Sequence, residues 1–398
     1  MKEISKLASN VQASTTLTVD ALFKQMKADG ADVVGFGAGE PDFDTPENIK
    51  EAAHSAIRNG YTKYTHSSGM PELRKTVADR LEADFGISYT PEQIVVASGA
   101  KHSVYITLRT LIDDGDEVIL PAPYWVTYAE IIKMVGGVPV IIPASEENSF
   151  KITKKQLEDA ISEKTKLFIL NNPSNPTGMI YDEDELRELS GVCVEHDLYI
   201  MSDEIYYNLV YDGKKFTSVA ELGEEIKKRT IIINGVSKTY AMTGWRIGYS
   251  ASNKQLAGVM GNYLSHSTSS PSTISQLAAI EALKGSQESV LAMRNEFEKR
   301  RDYIVKRINA MDGLSCRKPD GAFYIMLNIE KQIGRTLGGK LINNSDDFSI
   351  SFLESGKVAT VSCTGFGCEN FVRLTYASSM ESIEKGMDRL ERFIGVND

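Results

Sequence analysis

A chain of 398 residues, 42% hydrophobic and 25% charged, has the composition of a globular protein with more than one core-forming unit. Its formal net charge of −10 repels phosphate backbones and argues against nonspecific nucleic-acid binding. No run approaches the roughly 18–20 uninterrupted apolar residues of a membrane span, and Met1–Asn10 lacks the apolar core of a signal peptide, so a cytoplasmic protein is expected.

In chain order, Asp32–Phe43 reads as a strand plus loop. Its Gly35-x-Gly37-x-Gly39 lacks the final spacing of a dinucleotide fingerprint, and Glu40-Pro41-Asp42 follows where a helix belongs. Pro71–Phe85 carries Leu73, Val77, Leu81 and Phe85 at four-residue spacing behind an N-terminal proline, which predicts an amphipathic helix. Ile94–Ala97 predicts a strand that runs through Ser98-Gly99-Ala100-Lys101 into a helix over Val104–Leu111. Such a junction exposes backbone N–H groups to an anion, although bare strand-turn-helix junctions are common.

Glu117–Leu120, Val138–Ile142, Leu167–Leu170, Tyr199–Met201, Thr230–Ile233 and Trp245–Ala251 are further strand candidates, most separated by helical spacing such as Asp182–Glu195. Apolar strands alternating with helices predict a mainly parallel sheet covered on both faces, whose ligands gather beyond the strands' carboxyl ends. After about residue 290 the pattern changes. A charged helix over Glu288–Ala310 leads to Phe323–Ile329, Val358–Val361, Phe371–Ala377 and a last helix, as in a smaller α+β unit. Gly334–Leu341 nearly matches a phosphate-binding loop, but Leu341 stands where a Ser or Thr would hold magnesium, so a plain loop is expected. The four cysteines form no Cys-x-x-Cys and the five histidines no His-x-x-x-His, so reduced thiols and no metal are expected.

Five positions carry possible chemistry, each with a plainer reading beside it. Lys238, just past a buried strand, is either a surface-loop lysine or a desolvated amine able to attack an aldehyde. Asp203, with Tyr206 three residues on, is either the start of a short helix at Ser202-Asp203 or the partner of a cationic ring nitrogen. Asn175 sits in NNPSNPTG, either as a turn former or as a donor to a ligand oxygen, with a cis Asn175–Pro176 bond in view. Arg373 points away from Val372 and Leu374, either to solvent or inward around a carboxylate. Gly99 and Ala100 are either an ordinary turn or a phosphate cradle.

Taken together, VVGFGAGEPDFDTP, KYTHSSGMPELR, PAPYWVTY, NNPSNPTG, SDEIYYNLVY, SKTYAMTGWRIGY, GAFY and FVRLTYA resemble, in order and over nearly the whole chain, the fold-type I aminotransferases of class I/II. The branch they are most similar to is the bacterial aspartate/prephenate aminotransferases. The resemblance implies an α/β fold: a large domain with a mainly parallel seven-stranded sheet flanked by helices, and a smaller α+β domain built from both chain ends. The expected division is an arm plus the first part of the small domain over 1–45, the large domain over 46–290 and the small domain over 291–398.

It also implies pyridoxal 5'-phosphate, held as an imine on Lys238, and a ping-pong transamination between an amino acid and a 2-oxo acid. Asp203 resembles the carboxylate that keeps the pyridine nitrogen protonated, Tyr206 and Asn175 the donors to the ring's phenolic oxygen, and Trp125 the aromatic stacked on the ring. Gly99, Ala100, Lys101 and Arg246 fall at the phosphate, with Tyr64 reaching it from the second subunit of a homodimer. Ser237 stands beside the lysine where many relatives have a serine three residues before it, a position that is Gly235 here. Gly39 and Arg373 match the α-carboxylate site, together with Trp125 and Asn175, while Ser14, Thr16 and Lys101 fall where a distal carboxylate is handled. Aspartate with 2-oxoglutarate is the expected pair. Prephenate, aromatic, alanine or methionine substrates, or a C–S lyase of the same fold, are the alternatives.

Overall fold

The computed structural model describes residues 3–9, 11 and 16–395. Fourteen strands form its sheets. Val34–Gly35 is β1, Ile94–Ala97 β2, Glu117–Ala122 β3, Val138–Pro143 β4, Thr165–Asn171 β5, Tyr199–Asp203 β6, Thr230–Gly235 β7 and Gly248–Ala251 β8. Tyr324–Asn328 is β9, Thr336–Leu337 β10, Lys340–Leu341 β11, Val358–Ala359 β12, Val361–Ser362 β13 and Phe371–Thr375 β14.

The main sheet has seven strands in the order β2-β8-β7-β6-β5-β3-β4, parallel from β7 to β4, with β8 antiparallel to both of its neighbours. Alternation along each strand sends successive side chains to opposite faces. Ile119, Phe168, Leu170 and Ile200 meet Leu186, Leu189 and Val192 of the helix Glu183–Glu195 on one side. Val118, Leu120, Ile169, Met201 and Ile233 meet Val104, Leu108 and Met260 on the other. Burying each such side chain stabilises the fold by about 1.5–3 kcal/mol, which is why these strands read as continuous apolar runs.

Local signals set the helix ends. Pro71–Phe85 starts on its proline and stops at Gly86, whose φ of 68° closes the last turn. Asp182 caps Glu183–Glu195 by accepting from the Glu185 N–H at 2.9 Å, while the Glu185 carboxylate accepts from the Asp182 N–H at 2.8 Å.

The second assembly joins both ends of the chain. β13, β14 and β9 form an antiparallel sheet, and β1 pairs in parallel with β12. The helices Glu288–Asn309 and Met380–Gly395 cover it through Phe297, Ile304, Met387 and Leu390. Arg301, with no exposed surface, pairs with both oxygens of Asp212 at 2.9 and 3.0 Å and so ties the long helix to the loop after β6.

Four local expectations need correction. The strand expected over Trp245–Ala251 begins only at Gly248, because Thr243–Trp245 is a 3-10 turn and Arg246 is left-handed at φ 58°. The helix expected from Val104 starts at Ala100, directly after Gly99 at φ 87°. The run Val358–Val361 splits at Thr360 into β12 and β13, which pair with different strands. Gly334–Leu341, expected as a plain loop, carries the hairpin β10–β11. Of the two readings left open for Ser202-Asp203, the helix start is absent: residues 205–208 form turns, and Asp203 Oδ1 accepts from the Ile205 N–H at 3.2 Å.

Candidate active site

β2 and β7 are both antiparallel to β8 and therefore run the same way, so the carboxyl ends of β2, β3, β5, β6 and β7 share one edge of the main sheet. Above that edge lies a cavity of about 430 Å³. From the main sheet, Ala100 and Lys101 reach it after β2, Trp125 and Tyr128 after β3, and Asn175 after β5. Asp203 and Tyr206 come from the end of β6, and Ser237, Lys238 and Arg246 from beyond β7. The second assembly contributes Gly37, Gly39, Tyr324 and Arg373.

Lys238 Nζ donates to the carbonyl of Gly39. Burial lowers its pKa to about 8, reinforced by Arg373 and Arg246 and opposed by Glu40 and Asp203. A large neutral fraction thus exists near pH 8, as a nucleophilic amine requires. Asp203 is 3% exposed, and burial lifts its carboxyl to about 6 despite a 2.5 Å hydrogen bond donated by the Tyr128 hydroxyl. Near neutral pH it is mostly ionised, a buried anion whose natural complement is a cation within the cavity.

The loop after β5 is stitched to β6: Asn171 Nδ2 donates to the Asp203 carbonyl at 3.0 Å and Asn171 Oδ1 accepts from the Asn175 N–H at 2.7 Å. Asn175–Pro176 is cis, as expected, and so are Asn172–Pro173 and Ala122–Pro123. Arg373 is 6% exposed; its Nη1 donates to Asn175 Oδ1 and its Nη2 to the Gly37 carbonyl, both at 3.0 Å. Its Nε is buried without a partner among the described residues.

At the other end, Arg246 donates to the Thr243 and Ser98 carbonyls, and its guanidinium lies against Gly99. A Cβ on Gly99 would stand 2.2 Å from Arg246 Nη2, so only glycine admits this approach. Lys101 Nζ lies 4.9 Å from the centre of the Trp125 ring, and burial and Arg246 lower its pKa. Trp125 stands edge-on to Tyr128, ring centres 5.2 Å apart.

Not every expected residue is here. Tyr64 is 95% exposed and outside the cavity. Ser14 lies outside the described residues, and Thr16 begins the helix Thr16–Ala28 with its side chain outside them. Conversely, the sequence reading gave no role to Tyr128, Tyr324 or Phe366. The two tyrosines lie within quoted blocks, yet no local pattern marks Tyr128 as facing a carboxylate 75 residues away.

The model of the family "Aminotransferase class I and II" matches residues 31–390. An aspartate aminotransferase of Bacillus subtilis is 47% identical over 98% of this chain and 99% of its own length. A probable aspartate/prephenate aminotransferase of Aquifex aeolicus is 43% identical, covering 98% of each. Among solved structures, the aspartate aminotransferase of Rhizobium meliloti superposes with a TM-score of 0.95 at 39% identity, covering 99% of both chains. That of Thermus thermophilus with maleate gives 0.93 at 37%, over 99% of this chain and all of the other.

Proposed function

Because this chain belongs to the class I and II aminotransferases, we propose that it exchanges the amino group of aspartate with 2-oxoglutarate, using pyridoxal 5'-phosphate held on Lys238. The observation that carries the reading is a desolvated lysine sharing one cavity with a buried carboxylate and three further cations, Lys101, Arg246 and Arg373.

The residues fit that group at each of its parts. A phosphate suits the backbone N–H groups that open the helix at Ala100, the Gly99 approach and Arg246, with Lys101 and Ser237 near and Tyr64 from a partner subunit. A protonated pyridine nitrogen suits Asp203; the ring face suits Trp125 and the phenolic oxygen Tyr206 and Asn175. When bound, the cofactor supplies an electron sink for the charge left on the substrate Cα. Asp203, fixed by Tyr128, keeps a negative charge opposite the ring nitrogen. Arg373, held by Asn175 and Gly37, takes the α-carboxylate and with Gly39 orients the Cα–H bond, and Lys238 Nζ takes up the proton from Cα. Lys101, with Ser14 and Thr16, takes the distal carboxylate.

Aspartate is favoured because three relatives bear that activity in their names, and the Thermus thermophilus structure contains maleate, a four-carbon dicarboxylate. The exposure of Tyr64 supports a homodimer with shared sites.

Three experiments test the reading. Borohydride reduction of the loaded enzyme followed by peptide mapping should tag Lys238; a tag elsewhere, or none, removes it. Turnover should favour aspartate over alanine, phenylalanine and methionine, and equal rates would remove the substrate assignment. Lys101→Ala should cost aspartate roughly 10- to 100-fold in kcat/KM beyond any loss with alanine, the scale of one charge-assisted contact, and equal losses would remove Lys101 from the distal-carboxylate site.

A further inference from the structure

We propose that Tyr324 is a positioning residue: by donating its phenol proton to Tyr206, it directs the Tyr206 proton into the cavity. This rests on the reading of Tyr206 above as the donor to an oxyanion of the cofactor.

Tyr324 opens β9, in the second assembly, while Tyr206 follows β6, in the main sheet. Their hydroxyls lie 2.9 Å apart, and both side chains are nearly without exposed surface, at 1% and 3%. Either oxygen of this pair can be the donor. A phenol has one proton and two lone pairs, so the direction matters. If Tyr206 gives its proton to Tyr324, it has none for a ligand. If Tyr324 gives its proton to Tyr206, the Tyr206 proton is free, and it becomes a stronger donor because its own oxygen is polarised. Among the described residues Tyr206 is the sole hydrogen-bond partner of the Tyr324 hydroxyl, so an oxyanion beside Tyr206 selects the second arrangement.

The position of Tyr324 is constrained from other sides. Its hydroxyl lies 2.8 Å from where a Cβ on Gly39 would stand, so any side chain there would push it from Tyr206. Its ring centre lies 4.5 Å from the Arg373 guanidinium carbon, within cation–π range. Tyr324→Phe therefore deletes the proton relay while keeping the ring beside Arg373.

The test is a pH titration of the visible absorbance of the holoenzyme for the parent, Tyr324→Phe, Tyr206→Phe and the double variant, with maleate affinity measured alongside. Weakening a donor to the oxyanion favours the protonated chromophore, so the midpoint should rise. We expect a rise in Tyr206→Phe and a smaller one, equivalent to roughly three- to tenfold in the proton equilibrium, in Tyr324→Phe. The double variant should match Tyr206→Phe alone, and maleate affinity in Tyr324→Phe should stay within about twofold because the ring remains. No shift in Tyr206→Phe would remove the reading of Tyr206 itself. A shift there with none in Tyr324→Phe overturns the relay, and so do additive shifts in the double variant, since Tyr324 would then act independently. A maleate affinity lost in parallel with the shift also overturns it, by marking a general distortion.

Discussion

At the scale of single residues, the cavity works by desolvating one amine. Burial, reinforced by Arg373 and Arg246, lowers the Lys238 pKa to about 8, so the lysine can give up its proton within the working range. Lys238→Ala should accordingly reduce transamination by about 10³-fold or more, the upper range for a general acid–base group, as kcat would show. Gly99 has the opposite kind of role, that of a missing side chain. Its φ of 87° and the 2.2 Å approach of Arg246 leave no room for a methyl group. Gly99→Ala should weaken cofactor binding roughly tenfold, given the cost of about 1–3 kcal/mol for an L-residue in the extended positive-φ conformation of Gly99, with ψ 160°, and equilibrium titration of the apoenzyme measures it. An unchanged affinity would separate Gly99 from the phosphate.

At the scale of elements, β6 and the turn after it place two carboxylates at adjacent positions facing different surroundings. Asp203 faces the cavity, while Glu204 is fully buried, with one oxygen accepting from Ser202 Oγ and Ser218 Oγ, both at 2.8 Å. The other oxygen has no partner among the described residues, and burial raises the carboxyl to about 8, with Glu221 reinforcing the shift. The unfolded chain ionises this group near 4.5, so the fold binds its proton more tightly. Its stabilising contribution is full below that value and is lost as pH rises through about 8. Glu204→Gln cannot ionise. Its urea midpoint should exceed the parent's at pH 9, with the advantage shrinking or reversing at pH 5. Parallel curves across that range would show that Glu204 is already ionised in the fold.

At the scale of the whole molecule, the cavity belongs to two assemblies at once. Lys238 and Asp203 hang from the main sheet, whereas Gly39 and Arg373 come from the segments that the β1–β12 and β13–β14–β9 pairings unite. Tyr64, nearly fully exposed, makes the homodimer proposal testable by complementation. Protomers carrying Lys238→Ala and protomers carrying Tyr64→Ala should each be impaired alone. After unfolding and refolding together, mixed dimers should regain one competent site, in which an intact Lys238 receives the partner's intact tyrosine. No recovery in a mixture verified to contain heterodimers would show that Tyr64 does not cross between subunits.

The main sheet was legible along the chain because its strands, apart from the edge strand β4, are buried on both faces, and apolar runs such as Ile94–Ala97 and Thr230–Ile233 have few other places to go. The boundaries misread, at Trp245 and Thr360, are places where backbone conformation or partner changes without a change in hydropathy. Ordered blocks likewise named Lys238, Asp203, Asn175 and Arg373, which all line one cavity. Whether Arg373 faces solvent or the cavity was left open by alternation, since either face of a strand can be inward. The answer depended on β14 lying between β13 and β9, with Asn175 198 residues away to receive it. Hydrogen bonds such as Tyr128–Asp203 and Tyr206–Tyr324 leave no trace in spacing or composition. Each is a distance between atoms remote along the chain, and only packing sets such distances.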